Sequence, residues 1–138
     1  MKVIKNIICV IIIAFIIWAI FYLINHILSY QPTDPSILQE QSKTAEVGNL
    51  EEIYETHARN IPKYKDEYEG KYFKFTGTVQ HISDNYAQIE SQYVCADVYF
   101  GNKDDLKKIS PDEVITYYGK IDYGLSLQVK DAIIVQND

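Results

Sequence analysis

Apolar positions follow three successive patterns along this chain. From Ile7 to Ile24 they form an uncharged run, IICVIIIAFIIWAIFYLI; from Leu50 they recur at helical spacing; from Tyr72 onward they alternate with polar residues. The first pattern, with Val3, Ile4, Ile27 and Leu28 at its flanks, is long enough to cross a bilayer. About 20 apolar residues rising ~1.5 Å each span the ~30 Å of a hydrocarbon core. Lys2 and Lys5 precede the run, and the first charges after it are Asp34 and Glu40. That asymmetry predicts a cytoplasmic N-terminus and an exported remainder. The exit, Asn25-His26-Ile27-Leu28-Ser29-Tyr30, has no Ala-x-Ala cleavage pattern, and Cys9 stands near the start of the run. Residues 1–28 therefore read as an uncleaved anchor, touching lipid through residues 3–28, and not as a cleaved or lipoprotein signal. A buried core helix is excluded, because the mostly polar remainder could not surround so uniformly apolar a cylinder.

Residues 29–48 read as a linker. Pro32 and Pro35 interrupt it and Gln31, Gln39, Gln41, Ser36, Ser42 and Thr44 supply polarity, with only a weak helical signal around Ile37 and Leu38. A helix is predicted from Asn49, which caps it, with Glu52 placed to complete a capping box. Leu50, Ile53, Tyr54, His57, Ala58 and Ile61 share its apolar face, and Pro62 ends it near Ile61. Tyr64, Tyr68 and Tyr72 recur every four residues, a further turn whose tyrosines are expected to lie against a barrel with hydroxyls in solvent.

From Tyr72 the period is two. Phe73, Phe75, Gly77 and Val79 form one face of a strand, and the mid-strand Gly77 predicts a bulge or sharp coil. Ser83-Asp84-Asn85 turns the chain into a short strand from Tyr86 to Glu90. Val94, Ala96, Val98 and Phe100 alternate on the next, and Asp104 to Ile109 suits a short helix. Ile115, Tyr117, Gly119 and Ile121 alternate again, Asp122-Tyr123-Gly124 turns, and Leu125, Leu127 and Val129 lead into a strand finished by Ala132 to Val135. Three strands, a helix and two strands is the order of the OB-fold, a five-stranded Greek-key barrel. The expected class is mainly β with minor α: an N-terminal transmembrane helix, a linker, and a five-stranded OB-fold barrel preceded by a helix over residues 49–138.

The segments Gly70-Lys71-Tyr72-Phe73-Lys74-Phe75-Thr76-Gly77-Thr78-Val79, Val94-Cys95-Ala96-Asp97-Val98-Tyr99-Phe100, Ile115-Thr116-Tyr117-Tyr118-Gly119-Lys120-Ile121 and Leu127-Gln128-Val129-Lys130-Asp131-Ala132 resemble the tRNA_anti-like family of exported bacterial OB-fold proteins. The resemblance covers residues 48–136. It implies a fold, and it implies no activity. The chain departs from the family by carrying a transmembrane anchor in place of a lipobox, and by Pro62-Lys63-Tyr64 where small residues are expected.

Charge narrows the partners. Of 13 Lys and Arg, Lys2 and Lys5 precede the membrane run, leaving 11 against 19 acidic residues, a balance of −8 on the exported part. Such a surface repels phosphate backbones and anionic headgroups, so nucleic acid is disfavoured. The only basic cluster, Lys103, Lys107 and Lys108, falls on the short helix. Cys95 is the single exported thiol, which excludes an intramolecular disulfide there and reads as a buried small apolar side chain; the alternative is an intermolecular bridge.

No phosphate loop or dinucleotide fingerprint is present, and His57 and His81 lack metal-ligand spacing. His81, Ser83 and Asp84 lie within one hairpin and make a poor catalytic triad. The acidic group Asp104, Asp105, Asp112 and Glu113 lacks the regular spacing and central glycine of a calcium loop. No catalytic residue, cofactor or metal is expected. An OB barrel binds through its second and third strands and the loops beside them, which here places Tyr86, Tyr93, Tyr99 and Tyr123 on the candidate face. Tyrosines without basic neighbours suit a protein partner in the cell envelope. An oligosaccharide or single-stranded nucleic acid ligand is the first alternative, and a small envelope enzyme the second. The abundance of Ile, Lys, Asn and Tyr agrees with an AT-rich bacterial or phage genome.

The orientation is open to a direct test. Alkaline phosphatase fused to the C-terminus is expected to be active in bacteria, and a fluorescent protein that matures only in the cytoplasm is expected to stay dark in the same position. The opposite pair of results reverses the orientation.

Overall fold

The structure, a computed structural model, describes residues 1–28 and 33–135. The chain divides into two compact units, Met1–Pro32 and Thr33–Asp138. The first contains helix α1 (Lys2–Leu28), whose segment Ile7–Asn25 is long and apolar enough to cross a membrane. Phe15, Trp18 and Tyr22 run along one side of it, each ring centroid 5.9 Å from the next.

The second unit is a closed barrel of β1 (Tyr72–Ile82), β2 (Ala87–Ser91), β3 (Val94–Phe100), β4 (Val114–Tyr123) and β5 (Leu127–Ile134), in the order β1-β2-β3-β5-β4. All neighbours are antiparallel except β3 and β5, which run parallel. The predicted alternation sets which side chains fill the barrel. Phe73, Phe75, Val79, Ile89, Val98, Tyr117, Ile121 and Val129 are buried in one cluster. Each large apolar side chain so enclosed contributes ~1.5–3 kcal/mol relative to exposure. A 3₁₀ helix, Lys103–Lys108, follows β3, and Leu106 and Ile109 close that side of the core.

Closure depends on β1, which serves two neighbours. Its residues Tyr72 to Thr78 pair with β4, and Thr78 to Ile82 pair with β2. The changeover falls at Thr78, which pairs with both strands, next to Gly77. A Cβ at Gly77 would sit 2.6 Å from the Glu90 carbonyl oxygen and 2.7 Å from Ile89 Cγ2, so only glycine lets the strands approach. The register shift expected at Gly77 occurs instead between Val79 and His81, whereas Gly119 does lie in the shift between Tyr118 and Lys120.

Three expectations change. First, the stretch read as a linker is structured from Thr33 on; residues 29–32 of it lie outside the described residues. Helix α2 (Pro35–Lys43) is capped by Asp34, whose carboxylate accepts from the Ser36 amide, and it buries Leu38 against Tyr118 and Ile133. Val47 then bridges Lys74 in parallel. The Lys74 amide donates to the Glu46 carbonyl, and the Gly48 amide donates to the Lys74 carbonyl. These bonds serve the edge of β1 that β2 does not reach, which composition could not reveal.

Second, the leading helix is two helices, α3 (Leu50–Arg59) and α4 (Ile61–Glu67). Asn49 accepts from the Glu52 amide as predicted, but the Glu52 carboxylate accepts from the Tyr68 hydroxyl instead of completing a capping box. Asn60 ends α3 and caps α4 by accepting from the Lys63 amide. The break leaves Ala58 and Ile61 exposed and turns Tyr64 inward. Third, Tyr64 is therefore a core residue, only 1% exposed, and not a tyrosine with its hydroxyl in solvent.

The hydroxyls of Tyr64 and Tyr117 are buried with no hydrogen-bond partner among the described residues. Burial raises both groups, Tyr64 to about 12 with help from the charges of Glu69 and Asp122. An unfolded tyrosine ionises near pH ~10, so the native state holds this proton longer. Stability from the neutral phenol is complete below pH ~10 and is lost as pH climbs through the folded value.

Two outcomes are expected for residues 33–138 in urea melts. Gly77→Val lowers stability by about 2 kcal/mol or more, since a buried backbone contact must open; an unchanged midpoint would show that β1 does not pass so close to β2. Between pH ~10 and ~12 the wild-type midpoint falls more steeply than that of Tyr64→Phe; parallel curves would place the Tyr64 hydroxyl in water.

Candidate functional site

Alternation on β2 and β3 fixes the outer surface of the barrel. Ala87, Ile89, Val94, Ala96, Val98 and Phe100 point inward, so Gln88 and Glu90 on β2 and Cys95, Asp97 and Tyr99 on β3 face outward. Gln88 pairs with Asp97 and Glu90 with Cys95 across the ladder. Tyr86, just before β2, meets Tyr99 with ring centroids 5.4 Å apart. Asp97 accepts from Ser126 Oγ at 2.9 Å and from Gln88 Nε2 at 3.3 Å, and Glu90 accepts from Gln80 Nε2 at 2.8 Å.

The same alternation overturns the expectation for Cys95, which is exposed. With Val94 and Ala96 inside, the residue between them has to face out. Partial burial, then the charges of Asp97 and Glu90, raise its thiol. It is therefore a poor nucleophile at neutral pH.

At one end of this face lies a groove of about 480 Å³. The β2–β3 turn and the start of β3 contribute Tyr93, Val94 and Cys95; the last residue of β4 and the loop after it contribute Tyr123, Leu125 and Ser126; α3 contributes Tyr54. Tyr123 is held rigidly. Its ring stacks on His57 at 3.4 Å and 4°, and meets Tyr64 edge-on at 6.0 Å. Tyr93 is fixed at its tip, where the hydroxyl donates to Glu55 Oε1 at 2.9 Å. Much apolar surface stays in solvent: Tyr93 is 62% exposed, Tyr54 43%, and Leu125 fully.

Charge around the groove is unbalanced. Ion pairs among the described residues include Lys43 with Glu40, Lys63 with Glu67, Lys107 with Asp104, Lys108 with Asp105 and Lys130 with Asp122. Glu55, Glu90 and Asp97 have no ion-pair partner among the described residues. The hydrogen bond to Glu55, then its charge and that of Glu51, raise the Tyr93 phenol while Arg59 acts in the opposite sense. At the far end of the face the basic cluster is already engaged. Lys103 donates to Asn85 Oδ1, and Lys107 and Lys108 are paired within their own 3₁₀ turn.

The four tyrosines singled out from sequence thus do not form one surface. Tyr93 and Tyr123 line the groove, and Tyr86 and Tyr99 pair on the open face. Sequence reasoning missed Tyr54, Glu55 and Leu125. Tyr54 had been placed on the inward helix face, and Leu125 on the inward face of the last strand. That strand starts at Leu127, and Leu125 belongs to the loop. Gly124 beside it was the available signal for loop geometry.

Among the described residues no three His, Cys, Asp or Glu side chains gather to hold a metal ion. His81 and Asp84 are exposed, and the Ser83 amide donates to the Tyr86 carbonyl. The arrangement offers apolar contact, ring faces and hydrogen-bond acceptors.

A family model described as tRNA_anti-like matches residues 1–136. The match extends over the N-terminal helix as well as the barrel. A crystal structure from Klebsiella pneumoniae subsp. pneumoniae, described as a putative nucleic acid-binding lipoprotein, is similar in fold, with a TM-score of 0.59 and 16% identity. It covers 77% of this chain and 100% of its own. No curated protein matches the sequence.

Proposed function

This chain belongs to the tRNA_anti-like family, and from its OB-type barrel and groove we propose that it is a membrane-anchored, extracytoplasmic binding module that holds a protein partner in the cell envelope and catalyses nothing. The observation that carries the reading is the groove itself. Leu125, Tyr93 and Tyr54 keep large apolar surfaces in water at the mouth of an otherwise well-packed barrel. Clustered exposed apolar side chains of this kind mark contact surfaces. The anchor supports the location: one apolar helix, with Lys2 and Lys5 before its uncharged run, holds the barrel at the membrane.

Two alternatives are weaker. An oligonucleotide ligand, suggested by the description of the similar Klebsiella protein, requires cations along the path of its phosphates. Here the outer face carries Glu90 and Asp97, while Lys107 and Lys108 are spent on Asp104 and Asp105. An oligosaccharide would suit the Tyr86–Tyr99 pair, but would leave the exposed Leu125 unexplained.

A photoreactive amino acid installed at Leu125 in intact cells is expected to yield a discrete adduct containing a second protein. The same group at Val114, exposed but outside the groove, should yield none. Equal labelling from both positions would remove the groove from the reading. Labelled single-stranded DNA and RNA are expected not to bind at physiological salt. Micromolar, salt-sensitive binding lost in the Tyr93→Ala, Tyr99→Ala double variant would replace the protein partner with nucleic acid.

A further inference from the structure

We propose that the groove recognises a basic segment of the partner protein, seating a lysine or arginine side chain over Tyr54, Tyr93 and Tyr123 with Glu55 and Asp97 as its counter-charges. This rests on the protein-partner reading above and names the chemistry of that contact. Three tyrosines border one groove, and ring faces attract organic cations. Two carboxylates are hydrogen-bonded to residues that line it. Glu55 accepts from the Tyr93 hydroxyl, and Asp97 accepts from Ser126 Oγ, with Glu90 of β2 opposite Cys95. Neither Glu55 nor Asp97 is in an ion pair with a base among the described residues. Each carboxylate has about four lone-pair sites. The bonds from Tyr93 to Glu55, and from Ser126 and Gln88 to Asp97, leave acceptor capacity on both groups.

The opposing charges are limited. Arg59 acts on Tyr93, and Lys130 is paired with Asp122. An anionic ligand would therefore meet net repulsion from Asp97 and Glu55, with Arg59 as a partial offset. Leu125 supplies the remaining chemistry, because the methylene stem of lysine or arginine packs on apolar surface while its head reaches acceptors. A quaternary ammonium group would satisfy the rings but has no N–H to give the carboxylates, so a peptide cation fits both halves of the site. Tyr123, clamped between His57 and Tyr64, presents its ring without further ordering.

The test uses the full-length protein in neutral maltoside micelles, with protein-free micelles subtracted. The probe is a fluorescein-labelled hexapeptide of alternating arginine and leucine, compared with its citrulline–leucine and glutamate–leucine counterparts. The basic peptide is expected to bind at least about tenfold tighter than either. Glu55→Gln with Asp97→Asn is expected to weaken it about tenfold, and Tyr93→Ala with Leu125→Ala likewise. Glu40→Gln with Glu67→Gln makes the same change in net charge on exposed positions outside the groove and should leave binding unchanged. Circular dichroism and urea midpoints establish that each variant is folded. Equal binding of the citrulline peptide, or equal weakening by the remote double variant, overturns the inference. A protein adduct at Leu125 without binding of the basic peptide would leave the partner reading standing and remove only its cationic chemistry. Binding of the peptide without an adduct in cells would do the reverse.

Discussion

The domain depends on one strand meeting two demands. β1 has to pair with β4 over its first half and with β2 over its second, or the barrel stays open and its core is wet. The changeover brings the backbone at Gly77 against Glu90 so closely that no side chain fits between them. Closure by this route also leaves one edge of the first half of β1 without a strand. Unpaired amides and carbonyls at a partly covered edge are costly, so the preceding polar segment is drawn in to serve Lys74. Helix α2 follows the same logic, since Leu38 gains a buried seat beside Tyr118 and Ile133 only once β4 and β5 are joined.

Closure also builds the groove. The parallel pairing of β3 with β5 brings the β4–β5 loop beside the β2–β3 turn, although some thirty residues separate them in sequence. Helix α3 then packs near the same end, adding Tyr54 and Glu55, and places His57 where it stacks on Tyr123. Rigid rings and fixed acceptors on a strand framework suit recognition without rearrangement. The opposite end of the face is arranged differently: its lysines are neutralised locally by their own short helix. Beside the exposed aromatic surface, Glu55 and Asp97 have no ion-pair partner among the described residues.

The sequence by itself determined the apolar helix, the five strands in order, the inward-facing residue of nearly every strand position, and the cap at Asn49. Each is a local property: a run without charge, a period of two, or a side chain within reach of its own backbone. What only the tertiary structure decided is who meets whom. It made residues 33–48 part of the domain, because the need they meet is an edge of β1 that exists only after the barrel closes. It turned Tyr64 into the core through the break at Asn60, and left Cys95 in solvent because both its neighbours were needed inside. It divided the four tyrosines between two surfaces and added Tyr54, Glu55 and Leu125 to one of them. Periodicity assigns a residue to a side of its own element; the long-range pairing of β3 with β5 and the packing of α3 assign the element's neighbours, and a binding groove is made of neighbours.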